Sequence, residues 1–268
     1  MPADLLLVRH GESEGNVAVK ASKRGDDSHM NEQFLSQHSS RWRLSELGCE
    51  QATETGLWLR ENFPQGFHRY YVSEYTRALE TAGLLRLVNS EWLISPYLRE
   101  RWRGDLDRLP SAVSEELYRQ SFLDKETAPY YWRPPNGESL ADVSARLRII
   151  IDTLHRECAD KSVIMVCHGE VMEALNLELQ HLGEHQYIEW IRAQKSDSNL
   201  RLRNCQIFHY TRKAQPDNPE SKLEPYLAWF RSSCPANGYI GSWQKIEHKK
   251  YSSQQLLELS AMSPKLFG

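Results

Sequence analysis

Short apolar runs and longer helical repeats alternate along most of the chain. Residues 5–8 are apolar behind Asp4, and Val163, Ile164, Met165 and Val166 sit between Ser162 and Cys167. Continuous apolar runs of this length, bounded by polar residues, predict strands buried on both faces, here over 4–8 and 162–167. Residues 69–73, 91–95 and 205–210 predict three more strands, the first of them dense in strand-forming side chains. Between the runs, residues 45–62 read as a helix ended by Pro64 and Gly66, and residues 76–88 as another. A third begins at Ser139. There Ser139-Leu140-Ala141-Asp142 has the form of a capping box, and Val143, Leu147, Ile150, Ile151 and Leu154 recur at helical spacing. A fourth covers 171–182. Strands alternating with helices predict an α/β fold with a mostly parallel central sheet.

Three stretches break this rhythm. Residues 17–43 are polar and basic. Residues 101–136 are rich in Arg, Trp, Tyr and Pro. Residues 214–268 open on Pro216 and Pro219 and close on a weak helical pattern over 252–262. The 268 residues suit one core domain with additions, taken as residues 1–213 followed by a C-terminal extension, 214–268, packed on the core or partly mobile. The formal charge of −3 excludes a nucleic-acid coat or a polybasic membrane anchor, so an anion site has to come from local clustering of cations. Five scattered cysteines without a C-x-x-C pair argue against a disulfide framework or a zinc site. Arg9 interrupts the first apolar run, and no run approaches the ~20 residues of a membrane span, so a soluble protein of a reducing cytoplasm is expected.

The candidate chemistry stands at strand ends. The first strand runs into Arg9-His10-Gly11-Glu12 and the fourth into Cys167-His168-Gly169-Glu170. In open α/β sheets these ends face the ligand crevice, where helix N-termini favour anions. One isolated histidine is more often a surface or satisfied core residue, but two His-Gly pairs at two strand ends form a stronger pattern. Arg77 falls in the first turn of a helix, against the dipole, which is tolerable if an anion sits between them. It could equally be a solvated arginine. Glu100, in Leu98-Arg99-Glu100-Arg101, is either half of a surface ion pair or a proton donor beside a phosphate pocket.

Taken together, Leu7-Val8-Arg9-His10-Gly11-Glu12-Ser13, Ser73 with Thr76-Arg77-Ala78 and Glu80-Thr81-Ala82, Leu98-Arg99-Glu100, and Val166-Cys167-His168-Gly169 resemble the histidine phosphatase superfamily, the phosphoglycerate mutase-like group. Leu44-Ser45-Glu46-Leu47-Gly48, Pro135-Asn136-Gly137-Glu138-Ser139 and Asn204-Cys205 extend the likeness over about residues 4 to 212. The resemblance implies a three-layer sandwich with lid insertions, a small phosphorylated substrate, and neither metal nor cofactor. It implies that His10 is the nucleophile and becomes phosphohistidine. Arg9, Arg77 and His168 would hold the phosphoryl oxygens, Asn16 would touch them, and Glu100 would protonate the leaving oxygen. Phosphoryl transfer asks mainly for positioning and charge stabilisation, which two guanidiniums and a protonated His168 would supply. Glu100 has to be protonated to act, yet the neighbouring arginines pull its pKa down, so burial has to outweigh them. Turnover is then expected to favour mildly acidic pH.

Tyr130-Tyr131-Trp132-Arg133-Pro134-Pro135 looks more like the phosphatase-type branch, so hydrolysis is favoured over mutase chemistry. Arg101, as a further substrate cation, keeps the mutase reading open. A non-catalytic interaction protein is the third reading, for which the aromatic tail (Trp229, Phe230, Tyr239, Trp243) is the feature in favour. The stretches 17–43 and 101–136 are expected to wall the pocket, with Trp42, Trp102, Tyr130 and Trp132 either stacking on substrate or simply packing.

Overall fold

The computed structural model describes residues 1–268 except 197–200, 248–249, 262, 264 and 266–268. Its strands are β1 (Asp4–Arg9), β2 (Arg69–Ser73), β3 (Trp92–Ser95), β4 (Ser162–Cys167), β5 (Ile207–Thr211), β6 (Trp229–Cys234), β7 (Tyr239–Ile240) and β8 (Gln244–Lys245). Its helices are α1 (Glu14–Ser22), α2 (Glu32–Ser36), α3 (Glu46–Asn62), α4 (Thr76–Leu85), α5 (Ser111–Leu117), α6 (Arg119–Thr127), α7 (Leu140–Glu157), α8 (Gly169–Gln180), α9 (Glu184–Ser196) and α10 (Ser253–Ser260). All strands join one sheet in the order β3-β2-β4-β1-β5-β6-β7, with β8 also on β6. The first four strands run parallel, and β5 onwards is antiparallel.

The apolar runs explain the layers. Leu5, Leu7, Val163 and Met165 face α7 and α8, burying Val143, Leu147, Val171 and Leu175. Leu6, Val8, Ile164 and Val166 point the other way, toward Leu59 of α3 and Ala78, Ala82 and Leu85 of α4. Every second residue of β1 and β4 therefore feeds one of two cores, which is why neither strand can alternate with polar residues. The Ser139 capping box forms as expected: Asp142 N–H donates to Ser139 Oγ at 3.0 Å, and Ser139 N–H to Asp142 Oδ2 at 2.7 Å.

Several boundaries differ from expectation for local reasons. Helix α4 stops at Leu85 rather than residue 88 because Arg86 turns left-handed, at φ 47°. Strand β5 begins at Ile207 rather than 205 because Cys205 is left-handed too, at φ 56°. The polar stretch 17–43 is largely structured, with α1 starting at Ser13 on a capping box closed by Asn16. The extension from residue 214 enters the sheet through β6, β7 and β8. Phe230 packs against Phe208 and Tyr210, and Trp243 against His209. Helix α10 lies within the weak 252–262 pattern; Met262, its expected end, lies outside the described residues. Among the described residues no helix is long and apolar enough to cross a membrane, and all five cysteines are free.

Candidate active site

The parallel pairing of β1 with β4 puts Arg9 beside Cys167, and the next residue on each strand is a histidine. The His10 N–H donates to the Cys167 carbonyl at 3.0 Å, and the two imidazoles stand with centroids 5.1 Å apart. The turn after β1 is pinned by helix α3. A Cβ on Gly11 would come within 2.3 Å of the Gly48 carbonyl oxygen, and one on Gly48 within 2.0 Å of the Glu12 oxygen. Only glycine at both places lets the first turn of α3 dock there. The Gly11 N–H also donates to Thr81 Oγ1 at 3.1 Å, tying the turn to α4.

The tautomer of His10 follows from its partners. Its Nδ1 lies 2.7 Å from the Gly11 carbonyl oxygen, an acceptor, so Nδ1 carries the hydrogen. Nε2 is then a bare lone pair, and it accepts a hydrogen bond from Arg77 Nε–H at 3.2 Å. Burial, Arg77 and Arg9 hold the His10 pKa well below its ordinary value, so the ring is neutral. A buried, neutral, oriented imidazole is what a covalent nucleophile requires.

His168 heads α8 and is fully buried. Its Nε2 sits 2.8 Å from Ser73 Oγ, while Nδ1 has no protein partner among the described residues. Burial first, then Arg77 and His10, push its pKa well below the usual value. The protonated His168 expected from sequence is not favoured in the free site: burial, and after it Arg77, His10, Arg146 and Arg9, favour the neutral ring. Arg9 donates through Nη1 to the Leu202 carbonyl at 2.6 Å, and its buried Nε has no acceptor among the described residues. Arg77 lies over the Tyr75 ring at 4.9 Å and donates through Nη1 to the Ser39 carbonyl at 2.7 Å.

Glu100 follows a 3-10 turn (Pro96–Leu98) beyond β3. Its Oε1 accepts from the Arg101 N–H at 2.9 Å. Donor or acceptor atoms of His10, Glu100 and His168 all lie within 4.8 Å of one another. The opposing pulls on Glu100 resolve upward: burial and the Glu170 charge raise its pKa more than Arg77, the Arg101 N–H and Arg9 lower it. Asn16 Oδ1 is occupied by the Ser13 N–H at 3.2 Å and by Asn204 Nδ2 at 3.0 Å, and the same Asn204 amide reaches the His10 carbonyl at 3.1 Å.

Arg101 departs from its expected place as a phosphate ligand. It is 4 % exposed, and its guanidinium donates to the Glu138 carbonyl (2.7 Å), Glu170 (2.9 Å) and the Trp132 carbonyl (3.0 Å). With Nε, Nη1 and Nη2 all engaged, it braces the wall rather than meeting substrate. Of the candidate stacking aromatics, Trp42 is buried against Gly15 and stacked on Phe34, and Trp132 is buried with its N–H on Ser121. Trp102 stacks on His38 at 4.7 Å. Tyr130 packs on Tyr187. A cleft of about 530 Å³ opens beside the site between His38, Tyr75, Trp102, Arg99 and the carboxylates Glu74 and Glu138. Sequence reasoning left Glu170 without a role, although it stands two places after His168.

The chain belongs to the histidine phosphatase superfamily (branch 1), whose sequence profile matches residues 5–209. It is 30% identical over 184 residues to a 2,3-bisphosphoglycerate-dependent phosphoglycerate mutase of Methylorubrum populi, covering 65% of this chain and 78% of that one. It is also 30% identical over 174 residues to 6-phosphofructo-2-kinase/fructose-2,6-bisphosphatase 3 of Rattus norvegicus, a match spanning 65% of this chain but only 27% of that protein. The fold resembles mycobacterial glucosyl-3-phosphoglycerate phosphatase, with TM-score 0.61 at 23% identity over 90% of this chain and 99% of the other. It also resembles the alpha-ribazole phosphatase of Shigella flexneri, with TM-score 0.60 at 20% identity over 84% and 95%.

Proposed function

We propose that the protein is a phosphomonoester phosphatase that works through phosphohistidine on His10 Nε2. The observation that carries this reading is the convergence of a neutral His10, a raised-pKa Glu100 and His168 within 4.8 Å, between Arg9 and Arg77. In the first step the His10 Nε2 lone pair attacks phosphorus, the P–O bond to the alcohol breaks, and Glu100 gives its proton to the departing oxygen. In the second, water attacks phosphorus and gives a proton to the Glu100 carboxylate. The P–N bond breaks, inorganic phosphate leaves and His10 regains its lone pair. Arg77, which already reaches Nε2, and the unsatisfied Arg9 Nε supply donors for the phosphoryl oxygens; His168 Nδ1 can add one when it carries a hydrogen. An arriving phosphoryl dianion favours protonation of His168, restoring in the complex the charge it lacks in the free site. With Asn16 Oδ1 occupied, its amide N–H is the group left to donate to phosphate. The two guanidiniums make the site hostile to a metal cation, so the reaction is read as metal-independent.

Mutase chemistry is the second reading, favoured by the named mutase relatives and by the near-complete burial of His10, 2 % exposed. Withdrawal of Arg101 into the wall removes one cation that reading would use, which leaves hydrolysis ahead. The test is phosphate release from a phosphomonoester panel with EDTA present, for wild type and His10→Ala. Chelator-resistant release lost in the variant supports the proposal. An acid-labile phosphoenzyme that passes its group to a second phosphorylated acceptor faster than to water would replace it with the mutase reading.

A further inference from the structure

Glu100 stands among cations that ought to ionise it, yet the proposed mechanism needs it protonated. Arg9 faces it from β1 and Arg77 from α4, both favouring the carboxylate. Arg103, from its own segment, acts in the same sense. Burial opposes them, and so does a second carboxylate, Glu170, in the first turn of α8.

Glu170 is held differently. Arg101 Nη1 meets its Oε1 at 2.9 Å and Arg103 Nη2 its Oε2 at 3.1 Å. The helix N-terminus adds a favourable field for an anion. A third acid, Glu173, follows one turn later on α8. Of Glu100, Glu170 and Glu173, only Glu170 is in an ion pair among the described residues. Arg101 also joins the first two directly, its backbone N–H on Glu100 Oε1 and its guanidinium on Glu170. The guanidinium is fixed further by the Glu138 and Trp132 carbonyls, so Glu100 and Glu170 hang from one immobile residue.

We propose that Glu170 is a positioning residue for the proton donor: clamped as an anion by Arg101 and Arg103, it fixes Arg101 against Glu100 and keeps Glu100 in its acid form. This rests on the reading of Glu100 as the acid. When two neighbouring carboxyls have environments that differ this much, the paired one carries the charge and the unpaired one the proton. The directions agree, since Glu170 is lowered by Arg103 and Arg101 while Glu173, half-buried near Glu170 and Glu100, is pushed up to about 8 by lost hydration and those two charges. Lys125 from α6 also faces Glu170 and supports its charge. Cys167 faces Glu100 from β4, Tyr187 of α9 faces Glu170 and Glu173, and Asp107 faces Arg103 and Arg77, each pushed up chiefly by burial; His10 and His168 are held neutral, and burial pushes Tyr75 up to about 12.

The test uses the full-length protein as wild type, Glu100→Gln, Glu170→Gln and Arg103→Gln. The protonated-carboxyl infrared band is titrated with pH, and the component missing in Glu100→Gln is assigned to Glu100. The alkaline limb of kcat is measured in parallel for β-glycerophosphate and p-nitrophenyl phosphate. Glu170→Gln should move the Glu100 band, and the β-glycerophosphate limb where that ester turns over, down by about one pH unit. Arg103→Gln, whose side chain is 40% exposed and less able to disrupt folding, should move them up. Opposite shifts establish the tuning role. A Glu100 band that titrates unchanged in both folded variants overturns it, and if Glu170→Gln does not fold, an unchanged band in Arg103→Gln does so alone. Should Glu100→Gln slow the two esters equally, Glu100 is not the acid. That failure belongs to the proposed function and stays visible apart from the infrared result.

Discussion

Arg77 shows how much one side chain is asked to do. Its Nε reaches the nucleophilic nitrogen of His10, its Nη1 reaches the Ser39 carbonyl, and its own carbonyl accepts from Thr81, which also holds Gly11. A lysine offers one point charge in place of this fork, so Arg77→Lys should not be conservative. We expect kcat/KM to fall by about 10²-fold or more, measured by phosphate release, with the fold intact by circular dichroism. Glu100→Gln should lower kcat by about 10²–10⁴-fold for alkyl phosphates and far less for p-nitrophenyl phosphate, whose leaving group needs no proton. For alkyl esters the acid form is lost as pH rises through the raised Glu100 pKa, so activity should persist at mildly acidic pH and decline on the alkaline side. Most of these residues were legible in sequence because strand ends and a helix start place them, whatever the rest of the chain does. Arg101 was not, because its partners at Trp132, Glu138 and Glu170 come from segments whose meeting no local pattern announces.

At the scale of elements, the stretch from α2 to the start of α3 is a cover. The Ser39 carbonyl takes the Arg77 N–H that a phosphoryl oxygen would accept. The Ser39 hydroxyl donates to Asp107, and His38 stacks on Trp102, both on the second insertion. Ser39 is itself 5 % exposed. In the proposed reaction, displacing the Ser39 carbonyl would free one more Arg77 N–H for a phosphoryl oxygen, which would make opening of this cover a step of its own. Ser39→Ala and His38→Ala, which cut the two ties without touching Arg77, should speed hydrogen exchange at residues 38–44. They should also raise kcat/KM for p-nitrophenyl phosphate a few-fold; unchanged exchange in both would show that the cover is not latched by these contacts. The cover was expected over the pocket from its place after the nucleophile, but its helix was hidden: α2 has five residues, and α5 on the second insertion seven, too few to display a helical period. Strand β6 was hidden for another reason. Its first four residues are half-buried at an antiparallel flank, and Arg231-Ser232-Ser233 gives no apolar run to find.

Across the whole molecule, the two ends of the sheet carry opposite tasks. The C-terminal ends of β1 and β4 hold neutral histidines, and the segment after β3 a raised-pKa carboxyl, groups whose burial costs stability. His10 and His168 would each take a proton near pH 6.5 when unfolded but resist it when folded, so stability declines as pH falls below that value. The other end of β1 works the other way. Asp4, about five residues and roughly 17 Å distant along the strand, sits between His209 at 3.0 Å and Lys213 at 3.1 Å, and its pKa is lowered to about 2. A carboxylate depressed from 3.8 in the unfolded chain contributes its stability fully above pH 4 and loses it as pH falls toward 2. Asp4→Asn should therefore cost about 2 kcal/mol at neutral pH by denaturant unfolding. The gap to wild type should close as pH approaches 2, and kcat should not change, since nothing at the catalytic end depends on this cluster. A gap that stays constant down to pH 2 would mean that Asp4 stabilises by packing and hydrogen-bond shape alone. A fall in kcat would mean that strain at the base of β1 reaches His10 through the strand.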